Sequence, residues 1–292
     1  MVPVRDAATV MLVRDGVGGL EVFMLRRNLR SDFVGGAYVF PGGGVDDHDR
    51  RADLESVCAG RSDAEASARL GLTRGGLAFW VAAIRECFEE AGILLAYGPD
   101  GELIRLDDPA TAVRFAAHRV AVDRGERRLV DVCVREGLRL AVDRLWYFSH
   151  WVTPEGAQRR YDTRFFVARA PDAQEPLHDD REVIANLWIR PADALERHRA
   201  GEYDLVYPTM RSLRTLESFR SADELLAAAA ATDHVPAVEP RIVDDDGGFR
   251  ILLPGDDGYD RVARSPAELP AGVARKRLAL RPTPTAIDAD AC

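Results

Sequence analysis

The sequence predicts an α/β sandwich that is built on a mixed sheet and carries a small C-terminal appendage. Strand-like apolar runs are interleaved with a few helical segments, and a glycine-rich loop stands between a strand and a helix. The chain has 292 residues, of which 47% are hydrophobic and 30% charged, and this is the composition of an ordinary globular protein. That length suffices for one large core, or for a medium core with a small addition.

The N-terminal part of the chain reads as strands and turns followed by a polar segment. Residues 7–13 and 20–26 are largely apolar on either side of a glycine-rich turn, and they predict a β-hairpin. Residues 37–40 predict a further strand, which stops at a loop formed by residues 41–44. In the polar segment that follows, residues 63–70 predict a short helix.

The main helix is predicted from Leu77 to Ala91, with Gly92 suited to the position just past its C-terminus. The rest of the chain continues with strand-like and helical patterns. Three further strands are predicted, at residues 145–152, 163–168 and 183–189. Three further helices are predicted, at residues 191–199, 209–219 and 223–231.

A change of amino-acid composition near residue 232 predicts a boundary between a main domain and an appendage. Prolines and the acidic run at residues 244–246 follow this point, and the run forms the turn of an expected hairpin. We therefore assign residues 1–231 to the main domain. Residues 232–292 are assigned to the C-terminal appendage, with a hairpin and an irregular tail.

Charge and cysteine content argue against several functions. The formal net charge is −9 and the basic residues are dispersed, which argues against binding to nucleic acid or to an anionic membrane. A small anionic substrate is still compatible, because a bound cation and a few arginines can reverse the local field. The four cysteines form no paired motif, and the apolar run at residues 7–13 is too short to span a bilayer. We therefore expect a cytoplasmic protein.

An acidic face distinguishes the main helix. Glu86, Glu89 and Glu90 fall within an arc of about 100°, because they are spaced i, i+3 and i+4. Their repulsion, and their place near the negative end of the helix dipole, cost on the order of 1–2 kcal/mol, which Arg85 relieves in part. A divalent cation would reverse the sign of these interactions. From the helix alone, a metal site and an ordinary solvated face are both open.

The glycine-rich loop is the second feature with chemical meaning. Gly42, Gly43 and Gly44 follow a predicted strand and are followed by several acids. Glycines permit positive φ angles and close approach of the backbone, so that carbonyls or amides can reach a metal or a phosphate. On its own, a triple glycine is also compatible with a plain turn.

Together the two segments resemble the Nudix box, G-x5-E-x7-R-E-U-x-E-E-x-G-U, in which U is aliphatic. Residues 85–93 match its second half at every fixed position, with a cysteine at one aliphatic position. Gly43 and Asp49 match its first half, with Asp in place of Glu. The glycine and the arginine of the box are 42 positions apart instead of 14, so 28 extra residues interrupt it, at about residues 50–77.

The interrupted box and its flanking segments resemble the coenzyme A diphosphatase subgroup of Nudix hydrolases, the Nudix motif 19 type, which carries an insert at the same place. The similar segments are residues 25–46, 159–166 and 182–195, within a resemblance that covers roughly residues 5–220. It implies a Nudix α/β/α sandwich that hydrolyses a diphosphate in a nucleoside diphosphate-X compound. Coenzyme A or acyl-coenzyme A is the favoured substrate, giving adenosine 3′,5′-bisphosphate and (acyl-)phosphopantetheine.

The resemblance also implies which residues act. The expected ligands of Mg²⁺ or Mn²⁺ all belong to the box, and each offers an oxygen atom to the metal. They are Glu86, Glu89, Glu90 and, through its carbonyl, Gly43. Arg85 is expected to orient the carboxylates by ion pairing. The general base is one of the box glutamates or Glu182, which precedes a strand. A solvated loop acid is the alternative for Glu182.

Arginines are expected to bind the phosphates of the substrate, because a guanidinium can grip a phosphate with two hydrogen bonds. The candidates are Arg26, Arg27, Arg159 and Arg160. An ordinary structural role is the alternative for each of them in a chain so rich in arginine. His178 is interpreted as a solvated loop residue rather than a metal ligand. A homodimer is left open.

Two other functions also stay open from the sequence. A Nudix pyrophosphatase acting on ADP-ribose, NADH or another nucleotide would have the same box. A non-catalytic Nudix ligand sensor would usually lack box glutamates, whereas all three are retained here.

Overall fold

A computed structural model describes residues 2–28, 35–176, 183–245 and 248–262 of the chain, which fold as an α/β/α sandwich. In these ranges the strands are β1 (Val4–Gly16), β2 (Gly19–Arg27), β3 (Tyr38–Val39), β4 (Gly42–Gly44), β5 (Ala96–Tyr97), β6 (Arg139–Leu140), β7 (Trp146–Val152), β8 (Arg160–Arg169), β9 (Val183–Ile189), β10 (Ala237–Val238), β11 (Arg241–Asp245) and β12 (Gly248–Leu252). The α-helices are α1 (Leu54–Val57), α2 (Asp63–Leu70), α3 (Leu77–Ala91), α4 (Pro109–Asp123), α5 (Leu129–Glu136), α6 (Pro191–Ala200), α7 (Tyr207–Leu216) and α8 (Ala222–Ala231).

Eight of the described strands form one mixed sheet. Its order is β10-β7-β8-β1-β2-β3, with β4 paired to β1 and β9 paired to β2. The central strand β1 runs parallel to β8, from Val4 beside Arg160 to Val13 beside Arg169. Its pairing with β2 is antiparallel, through the predicted hairpin. The predicted mixed sheet is therefore confirmed.

Side chains alternate along β1 and serve two separate cores. Ala8, Val10 and Leu12 belong to the core that includes residues of α1 to α5, whereas Met11 and Val13 belong to the core that includes residues of α6 to α8. Successive residues of a strand point to opposite faces, so one strand can be covered by helices on both sides. Each large apolar side chain buried in this way stabilises the fold by about 1.5–3 kcal/mol. The two helical layers hold the sheet between them.

The insert packs against the start of α3 and caps it. The carboxylate of Asp63, the first residue of α2, accepts hydrogen bonds from the amides of Gly75 at 2.8 Å and Leu77 at 3.0 Å. The hydroxyl of Ser67 accepts from the amide of Gly76 at 2.9 Å. A Cβ on Gly76 would lie 2.4 Å from the backbone nitrogen of Ser67, so glycine is required there. The insert thereby supplies partners for amides that a helix N-terminus leaves open.

The glycine segment is a strand, not the loop that the sequence predicts. Gly42–Gly44 forms β4 and pairs antiparallel with residues 7–9 of β1. A Cβ on Gly42 would lie 2.5 Å from Thr9 Oγ1 and 2.6 Å from the carbonyl oxygen of Ala8. The glycines therefore allow a close approach of backbone to backbone, rather than a positive φ angle.

The helices near the box follow the predictions, and three other α-helices were not predicted. α2 and α3 have the predicted bounds, and Gly92 adopts the left-handed conformation at φ 70° just past α3. The structure adds α1, α4 and α5. The Asp108 side chain caps α4 by accepting a hydrogen bond from the Thr111 amide, and Gly137 closes α5 at φ 67°. Among the described residues, no helix is both long and apolar enough to cross a membrane.

Residues beyond 232 pack against the main domain. β10 extends the sheet beside β7, and β11 pairs antiparallel with β12 where the hairpin is predicted. Val238 and Leu253 are buried in the same core as α6 to α8. Arg69 of the insert donates to the backbone carbonyl of Asp233 at 3.0 Å and also to that of Thr232. The domain boundary at 232 stays a prediction, and residues 263–292 lie outside the described residues.

Candidate active site

The glycine strand β4 and the C-terminal half of α3 lie against each other. The Gly42 amide donates a hydrogen bond to Glu90 Oε2 at 2.9 Å. A Cβ on Gly43 would lie 2.5 Å from Glu86 Oε1, so any other residue there would displace that carboxylate. The two halves of the interrupted box therefore meet in space.

Arg85 joins the two halves through Asp49. Its Nε donates to the Asp49 oxygens at 3.1 and 3.2 Å, and its Nη2 donates to Asp49 Oδ2 at 2.9 Å. Nη2 also donates to the carbonyl of Gly44 at 2.7 Å. Arg85 is 7% exposed and Asp49 2% exposed, so this ion pair is buried. Asp49 lies in a 3₁₀ turn (Asp47–Arg50) ahead of the insert and contacts the arginine of the box in spite of the 28 extra residues.

The remaining nitrogen of Arg85 holds two of the box glutamates. Nη1 donates to Glu86 Oε1 at 2.9 Å and to Glu89 Oε2 at 3.0 Å. The side chains of both glutamates are 14% exposed, and Glu90 is 6% exposed. The interpretation of this helix as an ordinary solvated acidic face is therefore wrong.

Burial changes the protonation of these groups. Burial raises the pKa of Glu86 to about 7, although the neighbouring Arg85 lowers it. Burial likewise raises the pKa of Glu89 to about 8, and the charge of Glu86 adds to the increase against the opposing effect of Arg85. For Arg85 burial lowers the pKa, but the charge of Glu86 and the hydrogen bonds of Asp49 outweigh burial and raise it above its ordinary value. Four carboxyl groups, those of Asp46, Asp49, Glu86 and Glu89, lie within 4 Å of one guanidinium, so their ionisation is incompletely compensated.

Arg119 of α4 is a site residue that the sequence did not indicate. Its Nε donates to the backbone carbonyl of Glu89 at 2.8 Å, and its Nη2 donates to that of Glu90 at 3.0 Å. These contacts span 30 and 29 positions of the chain, and no motif links them. That Arg119 is directed at the end of α3 becomes visible only once the two helices are packed together.

The donor set fits a hard divalent cation. Among the described residues, no three acidic, histidine or cysteine side chains are gathered in a position ready to hold a metal. Glu86 and Glu89 instead accept hydrogen bonds from the same nitrogen of Arg85, Nη1. The other two nitrogens of Arg85 donate to Asp49 and to the Gly44 carbonyl. Rotation of the two glutamate side chains would therefore free their oxygens without removing the anchor of Arg85. Carboxylate oxygens are the type of ligand that Mg²⁺ and Mn²⁺ prefer.

The structure describes the four predicted phosphate-binding arginines but not the other predicted site residue, Glu182. Glu182, and His178, which is interpreted from the sequence as a solvated loop residue, lie outside the described residues. Arg26 and Arg27 end β2, where Arg26 pairs with Tyr38 of β3, the strand that leads into β4. The guanidinium of Arg26 lies over the Tyr38 ring, 5.8 Å from its centroid.

Arg159 and Arg160 have different surroundings. Arg159 is exposed, whereas Arg160 is 6% exposed. The Arg160 guanidinium donates to the carbonyl of Thr153 at 3.0 Å and to Glu239 at 2.7 Å. These contacts give Arg160 a structural role, because they tie the segment beyond residue 232 to the start of β8.

Two cavities differ in their relation to the box. A cavity of about 50 Å³ has Arg85 and Glu89 on one side, and Gly125 and Arg127 from the loop between α4 and α5 on the other. A larger cleft of about 750 Å³ lies near Phe115 and the segment between β5 and α4. No residue of the Nudix box is among the described residues that line it. The small cavity therefore belongs to the site, whereas the larger cleft does not.

The meeting of Gly43, Asp49 and α3 restores a complete Nudix box across the insert. This defines the class of enzyme as a Nudix hydrolase, which cleaves diphosphate bonds. The family model described as the NUDT19 Nudix domain matches residues 63–216, more than half of the chain. The chain belongs to this family.

Known relatives agree with this assignment. The chain is 30% identical to the acyl-coenzyme A diphosphatase NUDT19 of Gallus gallus, over 87% of this chain and 79% of the relative. It is 28% identical to the protein of the same name from Homo sapiens, over 82% of this chain and 72% of the relative. A solved Nudix hydrolase from Alicyclobacillus acidocaldarius is 28% identical, with a TM-score of 0.65, and the match covers 81% of this chain and all of that one.

Proposed function

We propose that the protein hydrolyses the diphosphate of coenzyme A or acyl-coenzyme A in a reaction that depends on Mg²⁺ or Mn²⁺. The products would be adenosine 3′,5′-bisphosphate and phosphopantetheine or its acyl derivative. The substrate class is supported by the names of the relatives from chicken and human. The reaction type is carried by one observation, the buried contact of Arg85 with Asp49 that reunites the split box.

In the proposed mechanism, water attacks one phosphorus, and the bridging oxygen leaves with the other phosphate. Glu86, Glu89, Glu90 and the Gly43 carbonyl would hold the metal ion. When bound, the ion would neutralise charge on the diphosphate oxygens and lower the pKa of the attacking water. Arg85 links Glu86 and Glu89 to β4, because it donates to both carboxylates and to the Gly44 carbonyl. The proton of the water would pass to one of the box glutamates or to Glu182.

Phosphate binding is the proposed role of Arg26, Arg27 and Arg159. A guanidinium can give a phosphate two parallel hydrogen bonds, and coenzyme A presents a 3′-phosphate in addition to its diphosphate. Arg160 is the weakest of the four candidates because protein acceptors occupy its donors. The cytoplasmic location stays a prediction, and a homodimer stays open.

A substrate screen with defined metal content tests this function. The purified protein is incubated with coenzyme A, an acyl-coenzyme A, ADP-ribose and NADH in Mg²⁺, Mn²⁺ or EDTA, and the products are separated by chromatography. We expect adenosine 3′,5′-bisphosphate from the coenzyme A compounds with either metal and none in EDTA. Cleavage of ADP-ribose or NADH alone would assign a different nucleotide substrate. Binding without cleavage of any compound would favour the ligand sensor.

A further inference from the structure

The C-terminal end of α3 is held by a residue outside the Nudix box. The Gly92 amide donates to the carbonyl of Phe88 at 3.0 Å and closes the helix. A helix leaves its last carbonyls without partners inside the helix. Here the carbonyls of Glu89 and Glu90 both accept from one guanidinium, that of Arg119, at 2.8 and 3.0 Å.

The helix that carries Arg119 is firmly placed. On α4, Phe115 and Val122 are buried in the core shared with α3, and the side chain of His118 is also buried. The His118 ring bonds through Nε2 to Glu136 of α5 at 2.9 Å. Arg119 therefore extends from a packed helix rather than from a loop, and its fork can fix the backbone that it contacts.

Glu89 and Glu90 are thereby held at both backbone and side chain. The Glu90 carboxylate accepts from the Gly42 amide, and the Glu89 carboxylate accepts from Arg85. Arg119 holds the backbone carbonyls of both residues. A cation at this end also opposes the negative pole of the helix, where two carboxylates stand.

We propose that Arg119 is a positioning residue for metal binding, which sets the last turn of α3 so that the carboxylates of Glu89 and Glu90 reach the metal together. This inference rests on the proposed function. If Arg119 only caps the helix, its substitution should lower the unfolding temperature and leave the metal affinity unchanged. If Arg119 is a positioning residue, its substitution should weaken metal binding in protein that is still folded.

Metal binding without substrate separates these two roles. Mn²⁺ binding to the full chain is measured by electron paramagnetic resonance of the free ion, for the wild type, Arg119→Ala, Arg119→Lys and Arg124→Ala. Arg124 is the matched control, because it follows the same helix, is 59% exposed and lies 3.8 Å from its partner Glu126. Thermal unfolding in EDTA shows whether each variant is folded.

We expect Arg119→Ala to raise the Mn²⁺ dissociation constant by about 10-fold or more. Arg119→Lys should recover part of the affinity, because lysine restores the charge and one donor but cannot span two carbonyls. Arg124→Ala should bind Mn²⁺ like the wild type. If Arg119→Ala does not fold, Arg119→Lys decides, with an intermediate affinity supporting the proposal.

Wild-type affinity in folded Arg119→Ala would overturn the inference, as would wild-type affinity in Arg119→Lys when the alanine variant does not fold. A lower unfolding temperature with unchanged Mn²⁺ affinity would assign Arg119 a structural role only. If the wild type binds no Mn²⁺, the metal site of the proposed function fails first, and the inference fails with it.

Discussion

The two ends of α3 are built on opposite principles. At the N-terminal end, Leu77 and Trp80 are completely buried, and the insert caps the helix through Asp63. At the C-terminal end, Glu89 and Glu90 lie where the helix dipole is negative, and burial raises the pKa of Glu89 to about 8. One end therefore stabilises the helix by apolar packing, while the other holds carboxylates at an electrostatic cost. The comparison indicates that the stable end supports the functional end.

The largest effect on stability is expected at the packed end, from Trp80→Ala. Trp80 is fully buried, its indole donates to the Leu145 carbonyl at 3.0 Å, and its ring lies 4.6 Å from that of Phe166. Removing the side chain should lower the free energy of unfolding by about 3–5 kcal/mol. Urea denaturation measures this, with Trp80→Phe as the milder control. Equal losses in the two variants would show that packing volume is not what stabilises this end.

At the charged end, Glu89→Gln and Glu90→Gln should affect activity rather than stability. Each should lower kcat/KM by about 100-fold, because a proposed metal ligand loses its charge. The free energy of unfolding in EDTA should not fall for Glu89→Gln, since the variant removes a carboxyl group whose ionisation is opposed by burial.

Steady-state kinetics and denaturant unfolding are measured on the same preparations, with Glu126→Gln as the control because that side chain is 61% exposed. Retention of wild-type turnover by both variants would exclude the catalytic role of this end and favour the ligand sensor.

A smaller loss is expected from Asp63→Ala, which removes the cap from the N-terminal end. Two amides, those of Gly75 and Leu77, lose their acceptor. The free energy of unfolding should fall by about 1–2 kcal/mol, while turnover per folded molecule stays close to that of the wild type. Chemical denaturation and active-site titration measure the two quantities. A loss of turnover at unchanged stability would mean that the insert acts on the site directly.

The smallest effect concerns the polar pair beside the packed end, and it depends on pH. Arg164 lies over the Phe79 ring at 4.6 Å and is 2.6 Å from Asp162. Burial raises the pKa of Asp162, but the hydrogen bond from His150 and the charge of Arg164 outweigh burial and hold the pKa below its ordinary value. A lowered folded-state pKa stabilises the protein above the unfolded pKa, and this contribution is lost as the pH falls through the folded pKa.

Asp162→Asn should therefore lower the free energy of unfolding by about 0.5–1 kcal/mol at pH 5, and the difference from the wild type should shrink below about pH 4. Urea unfolding at pH 5, 4 and 3 measures the difference, with the exposed Asp172→Asn as the control. A difference that stays constant down to pH 3 would show that the charge of Asp162 is not its source.

The order of elements around the box was largely predictable, because it depends on local patterns. The apolar period of α3 and the glycine that ends it predict Leu77 to Ala91, and the observed helix has these bounds. The glycine strand was predicted as a loop, since nothing in the sequence shows that Thr9 and Ala8 lie against Gly42. The helices α4 and α5 escaped prediction, although Asp108 followed by proline is a recognisable start for α4.

The role of Asp49 shows why spacing in sequence and distance in space differ. An insert of 28 residues separates Asp49 from Arg85 in the sequence, yet both carboxylate oxygens of Asp49 reach Arg85. The ends of an insert can stay close together because closing a longer loop adds only slowly to the entropic cost. Here α2 also fixes one end of the insert by capping α3.

By itself, the sequence determined the class of reaction, because the residues at 85–93 and Gly43 carry the chemistry of a Nudix box in their identities and local spacing. The tertiary structure alone decided that the acidic face is buried, that Asp49 completes the box, and that Arg119 holds its last turn. Burial and pairing depend on groups that are distant along the chain. The charge state of the Glu86 and Glu89 carboxyls is therefore a property of the packed protein, not of the helix that carries them.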